Sequence, residues 1–328
     1  MIELNDSYGR VARKLRISVT DRCNFRCQFC MPKTPIWLPR ENILSYEEIY
    51  RVVSLFAKMG ISKIRLSGGE PLMRRNIERL VDLLVTVPGI RSVSMTTNGF
   101  QLAEKAAALK MAGLSGVTVS LHSLKPDRFS EISGGGVFEK VIEGIESAKK
   151  NKIPTKINAV IIRGCNDDEI VDLASLAFSG KITMRFIEYM PFDGERMWGK
   201  EKVVSGKEII ERISERYKLI PESRERGSTA RLYKFANGMG QIGVITSITE
   251  PFCSDCDRIR LSADGKIVPC LFDKAGYDLK PLLRNRSSDD EVSLFMKNAI
   301  ARKTPGVETL LKQMSPLQHI RPMHTIGG

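Results

Sequence analysis

The segment 14-KLRISVTDRCNFRCQFC-30 places a short strand-like run directly before three cysteines, Cys23, Cys27 and Cys30. The chain has only seven cysteines in its 328 residues, so this grouping is unusual. A structural zinc site needs four closed ligands, usually in paired C-x2-C knuckles, and no fourth Cys or His lies nearby in sequence. Thiolates also select iron–sulfur clusters, and a four-iron cluster held by three cysteines leaves one iron open to another ligand. The segment therefore predicts an open four-iron cluster at the end of a strand.

Strand-like runs and segments of helical period alternate from residue 14 to about residue 190. Alternation at this spacing requires a parallel sheet with right-handed crossovers. Six units predict an α/β fold, an incomplete (β/α)6 barrel of the TIM type, over residues 1–190. The predicted strands are LRISVT, SKIRLS, RSVSMTT, GVTVSL, TKINAVII and TMRFIEY, and the predicted helices lie at 45–59, 74–86, 101–112, 138–150 and 167–178.

After residue 190 strand-like runs and helical segments no longer alternate regularly. This change predicts a second, smaller α+β domain over residues 191–328. Its expected elements are helices at 205–217, near 278–284 and at 289–302, with four strand-like runs, RLYKF, QIGVITSI, RIRLSA and KIVPC, between the first two.

A second cysteine triad, Cys253, Cys256 and Cys270, lies in this smaller domain. We interpret it as another open four-iron cluster. A strand has a period of two, so Arg258 and Arg260 share one face beside these thiols, where two guanidinium groups suit a phosphate chain. The alternative is a zinc knuckle with a borrowed ligand. Its candidates are Asp255, Asp257, His319 and His324.

The composition of the chain indicates which class of ligand it binds. Lys and Arg exceed Asp and Glu by 13, which attracts polyanions. Aromatic residues are only 7% of the chain and no basic block dominates, so a small anionic ligand is favoured over nucleic acid. A basic metal-knuckle RNA-binding protein stays open as an alternative. No apolar run approaches the length of a membrane helix and the N-terminus has no export signal, so we expect a soluble, cytoplasmic protein without a membrane partner.

Parallel α/β sheets carry their chemistry at the carboxyl ends of the strands. The residues at these positions are rich in turn-forming and polar types. Each motif alone is a weak signal, because Gly-Gly or Asn-Gly after a strand is first of all a turn. In chain order they are the first cysteine triad, SGGEP from Ser67, TTNG from Thr96, SLHS from Ser120, Arg163, and YMP from Tyr189.

The C-x3-C-x2-C spacing after the first strand resembles the radical S-adenosylmethionine superfamily, and SGGEP resembles its second motif. With both triads included, the sequence is similar to the GTP 3′,8-cyclase family from about Leu4 to Gly328. The motifs that carry this similarity are LRISVTDRCNFRCQFCMP, IRLSGGEPL, TTNG, VSLHSLKPDRF, KINAVIIRG, RFIEYMP, FCSDCDRIRLSADGKIVPCLF and the final IGG.

The resemblance implies a lyase of molybdenum cofactor biosynthesis that converts GTP to (8S)-3′,8-cyclo-7,8-dihydro-GTP. It implies two [4Fe–4S] clusters, held by the two triads, and S-adenosylmethionine as cofactors. It also implies an electron donor such as flavodoxin or ferredoxin, a downstream cyclic pyranopterin monophosphate synthase and a homodimer. Contacts to S-adenosylmethionine fall on Phe29, Gly69, Ser120 and Met190; contacts to GTP fall on Arg16, Arg65, Thr96, Lys156, Arg258 and Arg260, of which the last two are also assigned to catalysis.

The chain departs from the family at two histidines, and expectations for the C-terminus, a rival function and Cys165 complete the sequence analysis. The family commonly carries Asp at the position of His122, and usually another residue at His324. The diglycine end, Gly327-Gly328, is expected to be a flexible tail that threads into the active site. The nearest rival is a radical S-adenosylmethionine maturase that modifies peptides. Cys165 is expected to be a small buried or loop residue without a ligand role.

Overall fold

A computed structural model describes residues 3–180, 182–195, 197–273, 275–307 and 322–327. The first half alternates strands and helices as predicted. The strands are β1 Lys14–Ser18, β2 Lys63–Ser67, β3 Ser92–Thr97, β4 Gly116–Ser120, β5 Thr155–Ile161 and β6 Thr183–Glu188. The helices are α1 Tyr46–Lys58, α2 Ile77–Val85, α3 Leu102–Met111, α4 Pro126–Ser133, α5 Phe138–Lys150 and α6 Ile170–Phe178.

All six predicted strands form and pair in parallel in chain order. The predicted helices form as well, and Ser45 and Glu48 close a capping box at the start of α1. Helix α4 was not predicted. It begins at Pro126, whose fixed φ and missing N–H are tolerated only in the first helical turn, and it buries Phe129. The crossover between β4 and β5 therefore contains two helices.

The second half supplies three more helices and six more strands among the described residues. They are α7 Gly206–Ser214, β7 Leu219–Pro221, β8 Arg231–Phe235, β9 Gln241–Ile245, β10 Arg258–Leu261, β11 Lys266–Val268, β12 Tyr277–Asp278, α8 Lys280–Arg284 and α9 Asp289–Ala301.

The later strands extend the sheet of the first half at both edges. Strand β10 pairs in parallel with β1, and β9 pairs in parallel with β6. The complete order is β12-β11-β10-β1-β2-β3-β4-β5-β6-β9-β8-β7. One apolar core contains residues from both halves, such as Ile17 and Phe186 with Ile259 and Ile300. The domain boundary at residue 191 stays a prediction, and the sheet crosses it.

The register of the central strands places cationic residues in one row. Arg16 of β1 lies opposite Arg260 of β10 on one side and Arg65 of β2 on the other. Residues in one row of a sheet point to the same face. These three guanidinium groups therefore converge from three adjacent strands. Along the described chain, no helix is both long enough and apolar enough to cross a membrane.

Candidate active site

The loop that carries the first cysteine triad is held against the SGGEP turn by backbone hydrogen bonds. The Gly69 N–H donates to the Thr20 carbonyl at 2.7 Å, and the Glu70 N–H donates to the Arg22 carbonyl at 2.7 Å. A Cβ at Gly69 would overlap the Arg22 carbonyl. The family resemblance assigns Gly69 a contact to S-adenosylmethionine, and the structure adds that the cysteine loop itself leaves no room for a side chain here.

Glu70 joins this turn to the next strand end. Its buried carboxylate accepts hydrogen bonds from Thr97 Oγ1 at 2.7 Å and from the Asn98 N–H at 2.6 Å. Asn98 Nδ2 then donates to Asn24 Oδ1 at 2.8 Å and lies 3.8 Å from Cys23 Sγ. Burial raises the pKa of Glu70 to about 7. The motifs after β1, β2 and β3 thus form one hydrogen-bonded unit around Cys23.

The thiols of the first triad lie close enough to influence one another. Burial, followed by repulsion from Glu70, raises the pKa of Cys23 to about 11, and burial with repulsion from Cys23 raises that of Cys30 to about 12. Burial and the other two thiols raise the pKa of Cys27. Such thiols become thiolates only beside strong positive charge, which an iron–sulfur cluster supplies. The donor set therefore fits a cluster.

The second triad has cations built around it. Burial alone would raise the pKa of Cys256, but Arg258 and the buried Lys303 lower it to about 7. Lys303 Nζ lies 3.4 Å and Arg258 Nη2 lies 3.3 Å from Cys256 Sγ. Cys253 Sγ accepts from the Val307 N–H at 3.5 Å. At neutral pH this triad contains a thiol poised to be a thiolate, which is the form that binds iron.

The residues suggested for a zinc knuckle have other partners. Asp255 binds the Arg224 guanidinium and the Gly227 N–H, and Asp257 pairs with Lys14 at 2.9 Å. His324 lies beside Cys30 of the other triad. His319 lies outside the described residues. Within the described part of the chain, no three His, Cys, Asp or Glu side chains are grouped to hold a metal ion. In a four-iron cluster the cysteines bind different irons and need no such close grouping.

Both triads line a single cavity, since all six of their cysteines face it. Nine of the ten residues predicted to contact S-adenosylmethionine or GTP line it too. The tenth, Lys156, is an exposed residue of β5, and partial desolvation of its ammonium group together with Arg185 and Arg65 lowers its pKa. The nine are Arg16, Phe29, Arg65, Gly69, Thr96, Ser120, Met190, Arg258 and Arg260.

Arginines concentrate between the triads. Burial lowers the pKa of Arg16, and repulsion from four neighbouring guanidinium groups lowers it further. The pKa of Arg260 falls to about 10 through burial and Arg258, and that of Arg185 to about 9 through burial and Arg65. Five guanidinium groups in one cavity attract an anion with several charges, because such a ligand relieves their mutual repulsion.

The C-terminal segment enters this cavity from the side of β1 and β10. Arg260 Nη1 donates to the Gly327 carbonyl, and Gly327 lies against Ser18 with φ +77°. Met323 also lines the cavity. Gly327 therefore contacts an arginine that lines the cavity, and the threading of a flexible tail into the active site stays a prediction. Gly328 lies outside the described residues.

His122 sits at the S-adenosylmethionine end of the predicted site. Its ring lies edge-on to Phe29, with centroids 4.6 Å apart, and its Nδ1 accepts the Val160 N–H at 3.1 Å. Burial lowers its pKa to about 4. The imidazole is therefore neutral and carries its proton on Nε2, whereas Asp at this position would carry a negative charge.

Two residues that follow β5 do not line the cavity. Arg163 was included among the strand-end motifs, but its guanidinium pairs with Glu208 at 2.6 Å and donates to the Val203 carbonyl. It does not line the cavity. Cys165, expected to have no ligand role, lies 3.8 Å from Gln28 Nε2 and is half-buried.

Comparison with known families agrees with this geometry. The Radical SAM superfamily matches residues 17–177, and Molybdenum Cofactor Synthesis C matches residues 182–309. A GTP 3′,8-cyclase of Thermodesulfovibrio yellowstonii is 41% identical over 329 aligned residues, which cover 99% of this chain and 100% of the relative. One from Acidothermus cellulolyticus is 43% identical over 307 residues, 91% of this chain and 85% of the relative.

The chain belongs to the GTP 3′,8-cyclase family. Human Molybdenum cofactor biosynthesis protein 1 is also similar, at 42% identity over 305 residues, covering 92% of this chain and 48% of the human protein. This member of the cyclase family is thus a radical S-adenosylmethionine enzyme, and S-adenosylmethionine with one four-iron cluster are its cofactors.

Solved structures confirm the fold of this cyclase family member. Streptococcus suis SuiB bound to its precursor peptide SuiA superposes with a TM-score of 0.65 at 15% identity, over 96% of this chain and 76% of SuiB. At that identity the likeness concerns the fold alone. It gives no support to the rival prediction of a peptide substrate.

The sequence did not single out three residues that lie at the cavity or at the second triad. Arg185 and Asn158, which are register partners on β6 and β5, both line the cavity. Lys303 reaches the second triad from beyond the end of α9. Period two on β6 could have revealed Arg185, because it alternates with the buried Met184 and Phe186. Nothing in the local sequence marks Lys303, whose partner is 47 residues away.

Proposed function

We propose that this chain binds S-adenosylmethionine at the first cysteine triad and GTP at the second, and so converts GTP to (8S)-3′,8-cyclo-7,8-dihydro-GTP in the first step of molybdenum cofactor biosynthesis. One observation carries the proposal. Both triads and five arginines line the same cavity. A nucleotide triphosphate suits the space between two metal centres because its phosphates match the arginines and its base can reach an open iron.

The first triad is the proposed site of radical generation. Cys23, Cys27 and Cys30 hold one [4Fe–4S] cluster, which with S-adenosylmethionine supplies a 5′-deoxyadenosyl radical for abstraction of the C3′ hydrogen of the ribose. The residues Phe29, Gly69, Ser120 and Met190 hold S-adenosylmethionine against the cluster. Phe29 lies between two cluster ligands in sequence, and Gly69 is fixed by the backbone hydrogen bond to Thr20. The chain's task here is orientation and exclusion of water.

Cationic side chains are proposed to hold the triphosphate. Arg16, Arg65 and Arg260 form one row across β2, β1 and β10, and Arg185 faces the cavity from β6. Arg258 sits at the second triad, and Arg258 and Arg260 are the proposed catalytic pair. Thr96 and Lys156 are also proposed contacts to GTP; Thr96 Oγ1 accepts from Arg65 Nη1 at 3.3 Å. Restraint of both ends of the nucleotide limits which ribose hydrogen faces the radical.

The second triad, Cys253, Cys256 and Cys270, is proposed to hold another [4Fe–4S] cluster with one iron open to the guanine base. Support comes from Cys256, whose thiol has a pKa near 7 because Arg258 and Lys303 stabilise the thiolate. The Cys270 N–H donates to Asp273 Oδ2 at 2.8 Å, which fixes the third ligand.

The proposal includes partners. An electron donor such as flavodoxin or ferredoxin would reduce the first cluster, and a separate cyclic pyranopterin monophosphate synthase would consume the product. A homodimer and a cytoplasmic location remain proposals drawn from the family.

The decisive experiment is anaerobic incubation of the reconstituted protein with GTP, S-adenosylmethionine and dithionite, followed by mass spectrometry. We expect a GTP isomer and 5′-deoxyadenosine in equal amounts. GTP deuterated at C3′ should transfer its deuterium to 5′-deoxyadenosine. Cleavage of S-adenosylmethionine with GTP left intact, and with modification of an added peptide, would favour the maturase. A colourless zinc protein whose RNA affinity falls steeply with salt would favour the RNA-binding alternative.

A further inference from the structure

The loop from Pro32 to Arg40, directly after the first triad, carries an exposed apolar side chain. Ile36 is 94% exposed, the highest value among the large apolar side chains that the structure describes. A single exposed apolar residue is common and carries no meaning alone. The surroundings of this one differ, because hydrogen bonds hold the loop, exposed cations lie in it and near it in sequence, and His324 connects it to Cys30 of the first triad.

Three contacts fix the loop. The Leu38 N–H donates to Asp21 Oδ2 at 2.5 Å, next to the cysteine loop. The Lys33 N–H donates to Glu195 Oε1 at 2.7 Å. The Arg26 guanidinium stacks on the Trp37 ring at 5.1 Å, a cation–π contact. Ile36 is therefore presented to solvent by a held backbone.

His324 connects the same loop to the first triad. The Trp37 ring meets the ring of the buried His324 edge-on, with centroids 5.9 Å apart. The backbone N–H of His324 in turn donates a hydrogen bond to the Cys30 thiol. Two packed residues thus connect the surface to a ligand of the proposed cluster. The rate of electron transfer falls steeply with distance, so a donor must dock where such a connection is short.

The exposed cations around Ile36 favour an acidic partner protein. Arg22, Lys33 and Arg40 are exposed and Arg26 is partly exposed, whereas Glu41 and Glu195 are the exposed acids of these segments. The chain as a whole carries a formal charge of +13. Such a field steers an acidic protein toward the loop, and an apolar tip supplies a desolvated centre for the contact.

We propose that the Ile36 surface, formed by Arg22, Arg26, Lys33, Ile36, Trp37 and Arg40, is the docking site of an acidic one-electron carrier protein of the flavodoxin kind. The inference rests on the proposed function, because it needs a cluster at the first triad. In the transfer, the anionic flavin hydroquinone loses one electron and becomes the neutral semiquinone. A four-iron cluster held by Cys23, Cys27 and Cys30 would accept that electron, and no proton moves.

The test uses the reconstituted full-length protein with flavodoxin as the carrier. Ile36→Asp places an acid at the centre of the contact, and Ile36→Lys places a cation there. Met111→Asp is the matched control, since Met111 is 89% exposed at the carboxyl end of α3. This end of the helix lies near the amino ends of the strands, opposite the end that carries the cysteine loop. Two quantities are measured. One is the Kd of flavodoxin, and the other is the rate of 5′-deoxyadenosine formation with reduced flavodoxin and, separately, with dithionite.

We expect Ile36→Asp to raise the Kd of flavodoxin about tenfold, as for a residue at an interface centre. Its flavodoxin-driven rate should fall by a similar factor below saturation, while its dithionite-driven rate equals that of the parent. Ile36→Lys should raise the Kd of flavodoxin less than Ile36→Asp does, and Met111→Asp should leave it unchanged. The Kd of the parent should rise with salt concentration.

Three results would overturn the proposal. An unchanged Kd in Ile36→Asp would place docking elsewhere. Equal loss of the dithionite-driven rate would mean that the loop supports the cluster instead. A change of oligomeric state in Ile36→Asp, seen by light scattering, would mean that a second copy of this chain covers the surface. If the parent cleaves no S-adenosylmethionine with dithionite, the proposed function fails, and the Kd still decides the docking site.

Discussion

Arg185 tests whether the arginines that line the cavity destabilise the folded protein by repelling one another. Its Nη2 donates to Thr118 Oγ1 at 3.0 Å, whereas its Nε is buried without a partner among the described residues. Burial and Arg65 lower its pKa to about 9, well below the ordinary value of an arginine. A folded pKa below the unfolded one means that the charged form opposes folding. The penalty is full below pH 9 and disappears as pH rises to the ordinary pKa of arginine.

The size of the penalty follows from the pKa. One pKa unit corresponds to about 1.36 kcal/mol, so about 5 kcal/mol is its upper bound. Water in the open cavity reduces it, and we expect Arg185→Met to stabilise the ligand-free protein by about 1–3 kcal/mol, in the range for replacement of strained buried charges. The same substitution removes a charged hydrogen bond to the triphosphate and should weaken GTP binding by about 10- to 150-fold.

Anaerobic thermal denaturation of the reconstituted protein, with and without GTP, measures both effects. Arg185→Met should unfold at a higher temperature than the parent without GTP and gain less from GTP. Arg51→Met is the control, because Arg51 pairs with Asp289 on the surface, far in sequence from both triads. A lower unfolding temperature with unchanged GTP affinity would refute the reasoning and leave Arg185 as a structural partner of Thr118.

Three further predictions concern the triads. Cys23→Ala should abolish 5′-deoxyadenosine formation, and normal formation in this variant would contradict the first cluster assignment. Lys303→Met should raise the pKa of the Cys256 thiol above its value of about 7 in iron-free protein, measured by the pH dependence of alkylation. In the parent the thiolate stabilises the fold fully above about pH 9 and loses this effect as pH falls through 7, so an unchanged alkylation profile would exclude the lysine as the cause. Gly69→Ala should lower the iron content by about four per chain, because a Cβ would displace the cysteine loop. Full iron content would show that the loop moves aside and still binds the cluster.

The six barrel strands were predictable because each is a β-branched run between turn residues, and local pattern decides such segments. The relation of the second half to the first was not. The pairing of β10 with β1 joins segments about 240 residues apart, and neither local sequence indicates which strand it pairs with. The sheet therefore extends across the boundary that the change of rhythm suggested.

The site was predictable where a motif follows a strand and unpredictable where tertiary contacts decide. Cys23 and Gly69 stand in motifs of fixed spacing. Lys303 looks like an ordinary lysine after a helix, yet it is buried against Cys256. Arg163 shows the converse, since its position after β5 resembles the others but Glu208 holds it at the surface.

The central claim is that each triad holds a cluster with one iron open to a different small molecule. Mössbauer spectroscopy of the 57Fe-reconstituted protein tests it most directly. We expect about eight irons per chain in two [4Fe–4S] clusters, one changed by S-adenosylmethionine alone and the other by GTP alone. Four irons per chain, or two clusters that respond to neither molecule, would contradict the account.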